Sequence, residues 1–274
     1  MYLQLSRRGP KAAATAFAFL TLTTQMFAGD PQLDPGELLQ RIREKVAARL
    51  SKLPNYTCTE TIDRYIRRPS TGLQQADRVQ LEVAFVGNRE MYAKPGGEFQ
   101  DGHAGRLITS GTISDGEFGA HMVSLFRTDR AEFEFAGTGK KDGHKTYKYD
   151  FHMSQEKSNF LLKHDANEGI VAYKGSFWVD MTTLDLVRLE IKAQDIPFRI
   201  GIDAVSETMR YQMIQIADSE FLLPETSELA VSFEGVNSVN MVKLDHCREY
   251  TGESSVAFGS ATRDADPPPD PDKK

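Results

Sequence analysis

The sequence predicts an α+β chain: one large, curled antiparallel sheet of roughly ten strands, with an N-terminal amphipathic helix and a second short helix packed on its inner face. Three observations carry that prediction. One stretch near the start has helical periodicity, a long succession of segments alternates apolar and polar residues between short turns, and one later segment returns to helical spacing. So many strands in a single sheet tend to curl. Alternation on most of them leaves one apolar face that helices must cover.

The first element is "DPGELLQRIREKVAARLSKLP". Asp34 suits the cap, Pro35 the first helical position, and Glu37 completes a capping box. Leu39, Ile42, Val46, Leu50 and Leu53 form one stripe, and Pro54 follows the end. The other face carries Arg41, Arg43, Glu44, Lys45 and Arg49. A helix lying on a membrane surface is the rival reading, but the mixed charges favour packing on a sheet.

Period 2 then takes over. "NYTCTETIDRYIRR" reads as a strand rich in threonine and tyrosine, and "RVQLEVAFVGNREMYA" as a hairpin turning at Gly87-Asn88. "YAKPGGEFQDGHAGRLITSG" reads as a long surface loop, of a length that is mobile or functional inside a compact domain. In "SDGEFGAHMVSLFRTD", Ser114 and Glu117 form a second capping box, with Phe118, Met122, Leu125 and Phe126 at helical spacing. "AEFEFAGTGKKDGHKTYKYDFHM" turns at Asp142-Gly143, and further strands run to "SVNMVKLDHCREYTG".

The two ends have a different character. Arg7, Arg8 and Lys11 precede an apolar run from Ala12 to Ala28, so residues 1–28 read as a secretory signal peptide cleaved near Ala28. The mature protein is then expected in the periplasm or secreted. Residues 29–259 read as a single domain, and the Pro/Asp-rich tail 260–274 as disordered. Removing 1–28 leaves 30 basic against 39 acidic residues, a balance that excludes non-specific nucleic-acid binding. No later apolar run reaches the roughly 20 residues of a transmembrane helix. Cys58 and Cys247 are an even pair in an exported chain and are expected to form a disulfide, joining the first strand region to nearly the last.

Catalytic signatures are absent: no GxSxG, HExxH, P-loop or paired CxxC occurs. Asp101-Gly102-His103 and Asp142-Gly143-His144 repeat a tripeptide, but Asp-Gly marks a turn and the spacing of metal ligands is missing. Glu132 with Glu134, or Asp180 with Asp185, could be imagined as an acid/base pair. On a strand the glutamates merely alternate with Phe133 and Phe135, and an aspartate at a turn entry needs only a backbone partner. No metal, cofactor or catalytic residue is expected.

The hairpin "GSFWVDMTTLDLVRLEI" holds the one tryptophan. Phe177, Val179 and Met181 share one face, and Ser176, Trp178 and Asp180 the other. On the return strand Val187, Leu189 and Ile191 alternate with Leu186, Arg188 and Glu190. Trp178, Val179, Asp180, Thr183, Leu186 and Arg188 resemble the "W-[VI]-D-x-x-T-x-x-[LP]-x-R" hairpin of the periplasmic lipoprotein-carrier superfamily of LolA, LolB and RseB type. "LEVAFVGNREMYAKPGG" looks like that group's early hairpin. The chain is similar to secreted bacterial proteins related to the group.

That resemblance implies a half-barrel closed by helices, with an apolar cavity for acyl chains and no catalysis. Candidate cavity residues are Leu39, Ile42, Val46, Leu50, Phe118, Met122, Phe177, Val179, Val187 and Leu189. The expected function is a non-enzymatic envelope protein that holds a lipid, an acyl chain or a lipidated protein between sheet and helices. One alternative is a sensor or assembly factor that binds an envelope protein through its sheet edges or the 95–113 loop. Another is a hydrolase with a non-standard site at His103 or His121.

Overall fold

The computed structural model describes residues 34–250 apart from positions 69, 88, 102, 109 and 116–118. The expected signal peptide, residues 29–33, residues 251–259 and the expected tail lie outside the described residues.

Helix α1 (Pro35–Ser51) begins at the expected proline. Its buried stripe is Leu38, Ile42, Val46 and Leu50, with Leu39 half-buried beside it. Leu38 rather than Leu39 leads the stripe because a spacing of four keeps all four side chains on one row. Strands β1 (Tyr56–Arg68), β2 (Gly72–Val86), β3 (Arg89–Ala93) and β4 (Gln100–Asp101) follow, then the short helix α2 (Ala120–Phe126). The remaining strands are β5 (Glu132–Lys141), β6 (His144–Met153), β7 (Phe160–His164), β8 (Asn167–Asp180), β9 (Leu186–Gln194), β10 (Ala204–Ile216), β11 (Ser219–Phe233) and β12 (Val236–Glu249).

Eleven strands form one curled, unclosed sheet in the order β4-β3-β2-β1-β12-β11-β10-β9-β8-β6-β5, while β7 pairs with the first part of β8. Every pairing is antiparallel. Tight turns explain the meander. Asp142 and Gly143, and likewise Glu234 and Gly235, all have positive φ, as two-residue turns between twisted strands require. Val86 pairs with Arg89 across the expected Gly87-Asn88 turn, of which Asn88 lies outside the described residues.

The sheet's first and last strands meet near its middle, and Cys58 on β1 is bonded there to Cys247 on β12, closing a separation of 189 residues. The register slips between Thr57 and Thr59, where His246 is accommodated at φ 52°.

One expectation about the segment between β3 and β5 is corrected and another is extended. The stretch expected as a surface loop is largely exposed, but it is anchored on the sheet. Ala104 is fully buried, and Leu107, Ile108 and Ile113 pack against the core around Tyr56, Leu81 and Val83. Asn240 Nδ2 donates to the Thr112 carbonyl at 2.8 Å, and the Arg64 guanidinium holds the Ser110 carbonyl. Asp115 accepts the Ala104 amide at 2.7 Å and lies 2.8 Å from His103 Nδ1. The segment is a strap, tied by side chains that replace the backbone pairing a loop lacks. The second helix starts at Ala120 behind Gly119, so Ser114 is no cap; Glu117 and Phe118 lie outside the described residues.

Candidate functional site: the inner face of the sheet

Strand register brings distant residues into transverse rows on the face that carries the helices. One row runs Phe135, Tyr149, Phe177, Leu189, Met209, Ser227, Val242, Ile62, Val79 across nine strands. The neighbouring row runs Phe133, Phe151, Gly175, Ile191, Glu207, Leu229, Asn240, Arg64, Asp77. The β5–β9 half is therefore apolar and aromatic, and from β10 onward the second row becomes polar.

The aromatic half is densely packed. Phe177 stacks on Tyr149 at 5.4 Å and receives Phe126 of α2 and Phe133 edge-on at 5.0 and 5.9 Å. Such geometries add to the area these rings bury. Helix α1 spans this half. Its Pro35 carbonyl accepts from Tyr149 Oη at 2.7 Å, and Arg49 near its other end pairs with Asp185 in the β8–β9 turn. Midway, Arg43 donates to the Thr128 carbonyl and to Asp129, fixing α1 to the segment after α2.

The polar half centres on buried carboxylates. Glu207 and Glu60 are 2 % and 1 % exposed. His121 on α2 places Nε2 3.1 Å from Glu207 Oε2 without hydrogen-bond geometry, and neither Glu207 Oε1 nor Glu60 Oε2 has a hydrogen-bond partner. Glu90 on β3 accepts from Tyr92 Oη at 2.7 Å and from the Gly119 amide at 3.2 Å. Burial, reinforced by Glu90 and Asp115, pushes the Glu60 carboxyl up to about 8. Burial works against a charged His121, but Glu207 and Glu90 outweigh it and raise its pKa. The Tyr211 hydroxyl is raised by burial and by the same two glutamates. Arg64 forms a two-pronged pair with Asp77 at 2.6 and 2.5 Å.

The residues expected to line a cavity are distributed as follows. Ile42, Val46, Leu50, Met122, Phe177, Val179, Val187 and Leu189 are buried, Leu39 is half-buried, and Phe118 lies outside the described residues. None of them lines either of two surface grooves, of about 510 Å³ at Lys192–Asp195 and Asp203–Ser206, and of about 270 Å³ at Arg67, Arg68 and Asn237.

The hairpin residues have structural partners. Trp178 faces away from Phe177, under Lys141 at 4.2 Å from its ring centroid. Asp180 Oδ1 accepts the Thr182 and Thr183 amides, its Oδ2 lies 2.9 Å from His144 Nδ1, and the Thr183 hydroxyl accepts the Asp185 amide. Arg188 donates to Glu190 at 2.8 Å. The expected alternation on β9 needs correction. A register shift after Trp178 pairs Val179 with Leu186, so Leu186 joins the inner face and Val187 is the extra residue. Met181 falls in the turn and is exposed.

Sequence reading passed over the polar inner residues. The signal was there: Glu60 and Arg64 share the phase of Cys58 and Ile62, and Glu207 that of Val205 and Met209. Among the described residues no group of three or more His, Cys, Asp or Glu side chains is disposed to hold a metal ion.

No protein-family model matches the chain, and no curated protein matches it. Solved structures similar to it include a domain from Vibrio parahaemolyticus named for outer membrane lipoprotein sorting, at 11% identity and TM-score 0.43, covering 79% of this chain and 95% of that one. A DUF1329 family protein from Desulfovibrio piger is similar at 12% identity and TM-score 0.41, with the same coverage. The lipoprotein LppX of Mycobacterium tuberculosis follows at 11% identity and TM-score 0.28, covering 80% and 99%.

Proposed function

We propose that this chain is an exported, non-catalytic binding protein of the bacterial envelope that holds a lipid, an acyl chain or the acyl part of a lipidated protein against its inner face, under α1 and α2. The observation that carries this reading is the aromatic half of the face, from Phe133 to Ile191, roofed by a helix held through a few polar contacts. Arg43, Arg49 and Tyr149 can release α1 without exposing backbone groups, since an α-helix satisfies its own. The ligand slides between the Ile42–Val46 stripe and the sheet. The likeness of Trp178, Asp180, Thr183 and Arg188 to the lipoprotein-carrier hairpin supports the same reading.

Native mass spectrometry of the mature chain, purified from its own compartment without detergent, tests it. A reproducible added mass that dissociates as a lipid or acyl species is expected, and Ile42→Trp should reduce it while the protein stays folded. A clean apo mass with no uptake of added phospholipid or lipopeptide overturns the proposal.

A further inference from the structure

Exposed apolar side chains on this protein are mostly solitary. Among the described residues Leu73, Met181, Met213 and Met241 stand on separate elements, as scattered surface residues ordinarily do. Three others gather at one corner. Leu161 and Ile170 face each other across the β7–β8 hairpin, each 44 % exposed, and Phe198, in the β9–β10 connection, is 100 % exposed.

The connection holds that ring outward. A 3-10 turn (Phe198–Ile200) begins after Pro197, at φ −61°, and closes at Gly201, whose φ is 75°. Ile200 is fully buried and lies against Gly169 of β8, where a methyl group would meet it at 3.1 Å. Arg199 Nη1 donates to the Glu168 carbonyl at 3.0 Å, and His164 Nδ1 lies 3.2 Å from the Ile200 carbonyl. Both residues that follow Phe198 thus tie the turn to the β7–β8 hairpin. They do so on its Leu162–Gly169 face, while Leu161 and Ile170 belong to the opposite face. Apolar groups leave this corner on both sides of a two-stranded edge.

A pocket on a protein partner, or the same corner of a second copy, covers one side of such an edge. A fluid apolar phase that receives it end-on covers both. We infer that this corner docks on a lipid bilayer, with Phe198 inserted below the head groups and Leu161 and Ile170 beside it at their depth. The charges of the adjoining segments are balanced, Lys163 and Arg199 against Asp165, Glu168 and Asp195. Insertion, rather than attraction to anionic lipid, therefore supplies the affinity. Among the described residues β7 pairs with β8 alone, and the polar backbone groups on its other edge keep it at the level of the head groups. The inference goes beyond the proposed function and does not depend on it, since it names where the protein meets a membrane and not what it carries.

The test is co-sedimentation of the full mature chain with vesicles of phosphatidylcholine alone. The wild type is expected to sediment with them. Phe198→Ser, a change at a fully exposed position that leaves the fold intact, should bind at least about tenfold more weakly. Raising the salt to about 0.5 M should leave wild-type binding unchanged. Phe198→Trp gives a second readout: it should bind as the wild type does and lose emission to brominated phosphatidylcholine. The wild type, whose Trp178 lies under Lys141, should not. Absence of wild-type binding, equal binding of Phe198→Ser, or binding that needs anionic lipid and disappears in salt overturns the inference. So does a wild-type dimer in sedimentation velocity that Phe198→Ser dissolves, which would assign the corner to a second copy. Each of these outcomes leaves the proposed function to its own mass-spectrometric test, and a lipid found there does not rescue the inference.

Discussion

Arg49, in the last turn of α1, grips Asp185 in the β8–β9 turn with two parallel hydrogen bonds, Nε to Oδ1 at 2.9 Å and Nη2 to Oδ2 at 2.8 Å. Lys45, one turn earlier, stands 3.9 Å from the same carboxylate. The aspartate is only 15 % exposed, so the pair is shielded better than an ordinary surface bridge. We expect a coupling of about 1–1.5 kcal/mol in a double-mutant cycle of Arg49→Ala and Asp185→Ala, read from urea unfolding. A coupling near zero would mean that burial of the Leu38–Leu50 stripe alone seats the helix.

Gly175 lies on the inner face between Phe151 and Ile191, where the backbones of β8 and β9 come close. A methyl group there would meet the Phe151 ring edge at 2.6 Å and collide with the Glu190 carbonyl of the neighbouring strand. The ring can turn, but the carbonyl belongs to the ladder. Gly175→Ala should therefore cost about 2 kcal/mol or more of stability, visible as a lowered thermal midpoint. An unchanged midpoint would show that the hairpin yields without penalty.

The disulfide between Cys58 and Cys247 closes nearly the whole folded chain. Loop-closure entropy puts its contribution at up to about 5 kcal/mol. The double variant Cys58→Ser, Cys247→Ser should unfold at a clearly lower denaturant concentration, and reductant should shift the wild type toward it. Wild type and variant with matching midpoints in the absence of reductant would refute that role.

The layout of strands was legible because turn chemistry is local. Asp142-Gly143 marks its turn by the positive φ that such residues tolerate, and the apolar phase of each strand follows from two-residue periodicity. The Cys58–Cys247 pairing was legible from the even count of cysteines and the expectation of export. What stayed hidden depends on contacts between distant segments. Nothing local in "DLVRLEI" announces that β9 slips by one residue opposite Trp178 and turns Leu186 inward. Nor does a Gly-rich stretch reveal that Arg64 and Asn240 will tie it to the sheet. The inner carboxylates were visible as charges on an apolar phase, but their meaning needed the register that aligns Glu207 with Ile191 and Leu229.

Glu60 makes the sign of the pH dependence testable. Burial first, then Glu90 and Asp115, hold its folded pKa up at about 8, against an ordinary value of 4.5. Between those values the unfolded chain has released a proton that the folded chain retains, so stability falls as pH rises through this window. His121 acts in the same sense. Its pKa is raised in the fold, so its contribution is present in full below about 6.5 and fades as pH climbs through the raised value. Glu60→Gln removes the first effect and leaves the second. The variant should match the wild type near pH 5, exceed it by a few kcal/mol at pH 8, and retain a shallower decline. Urea unfolding of both proteins at several pH values between 5 and 8.5 measures this. Parallel stability curves would show that the Glu60 carboxylate is solvated or paired in the folded protein, and would remove it from the polar centre of the inner face.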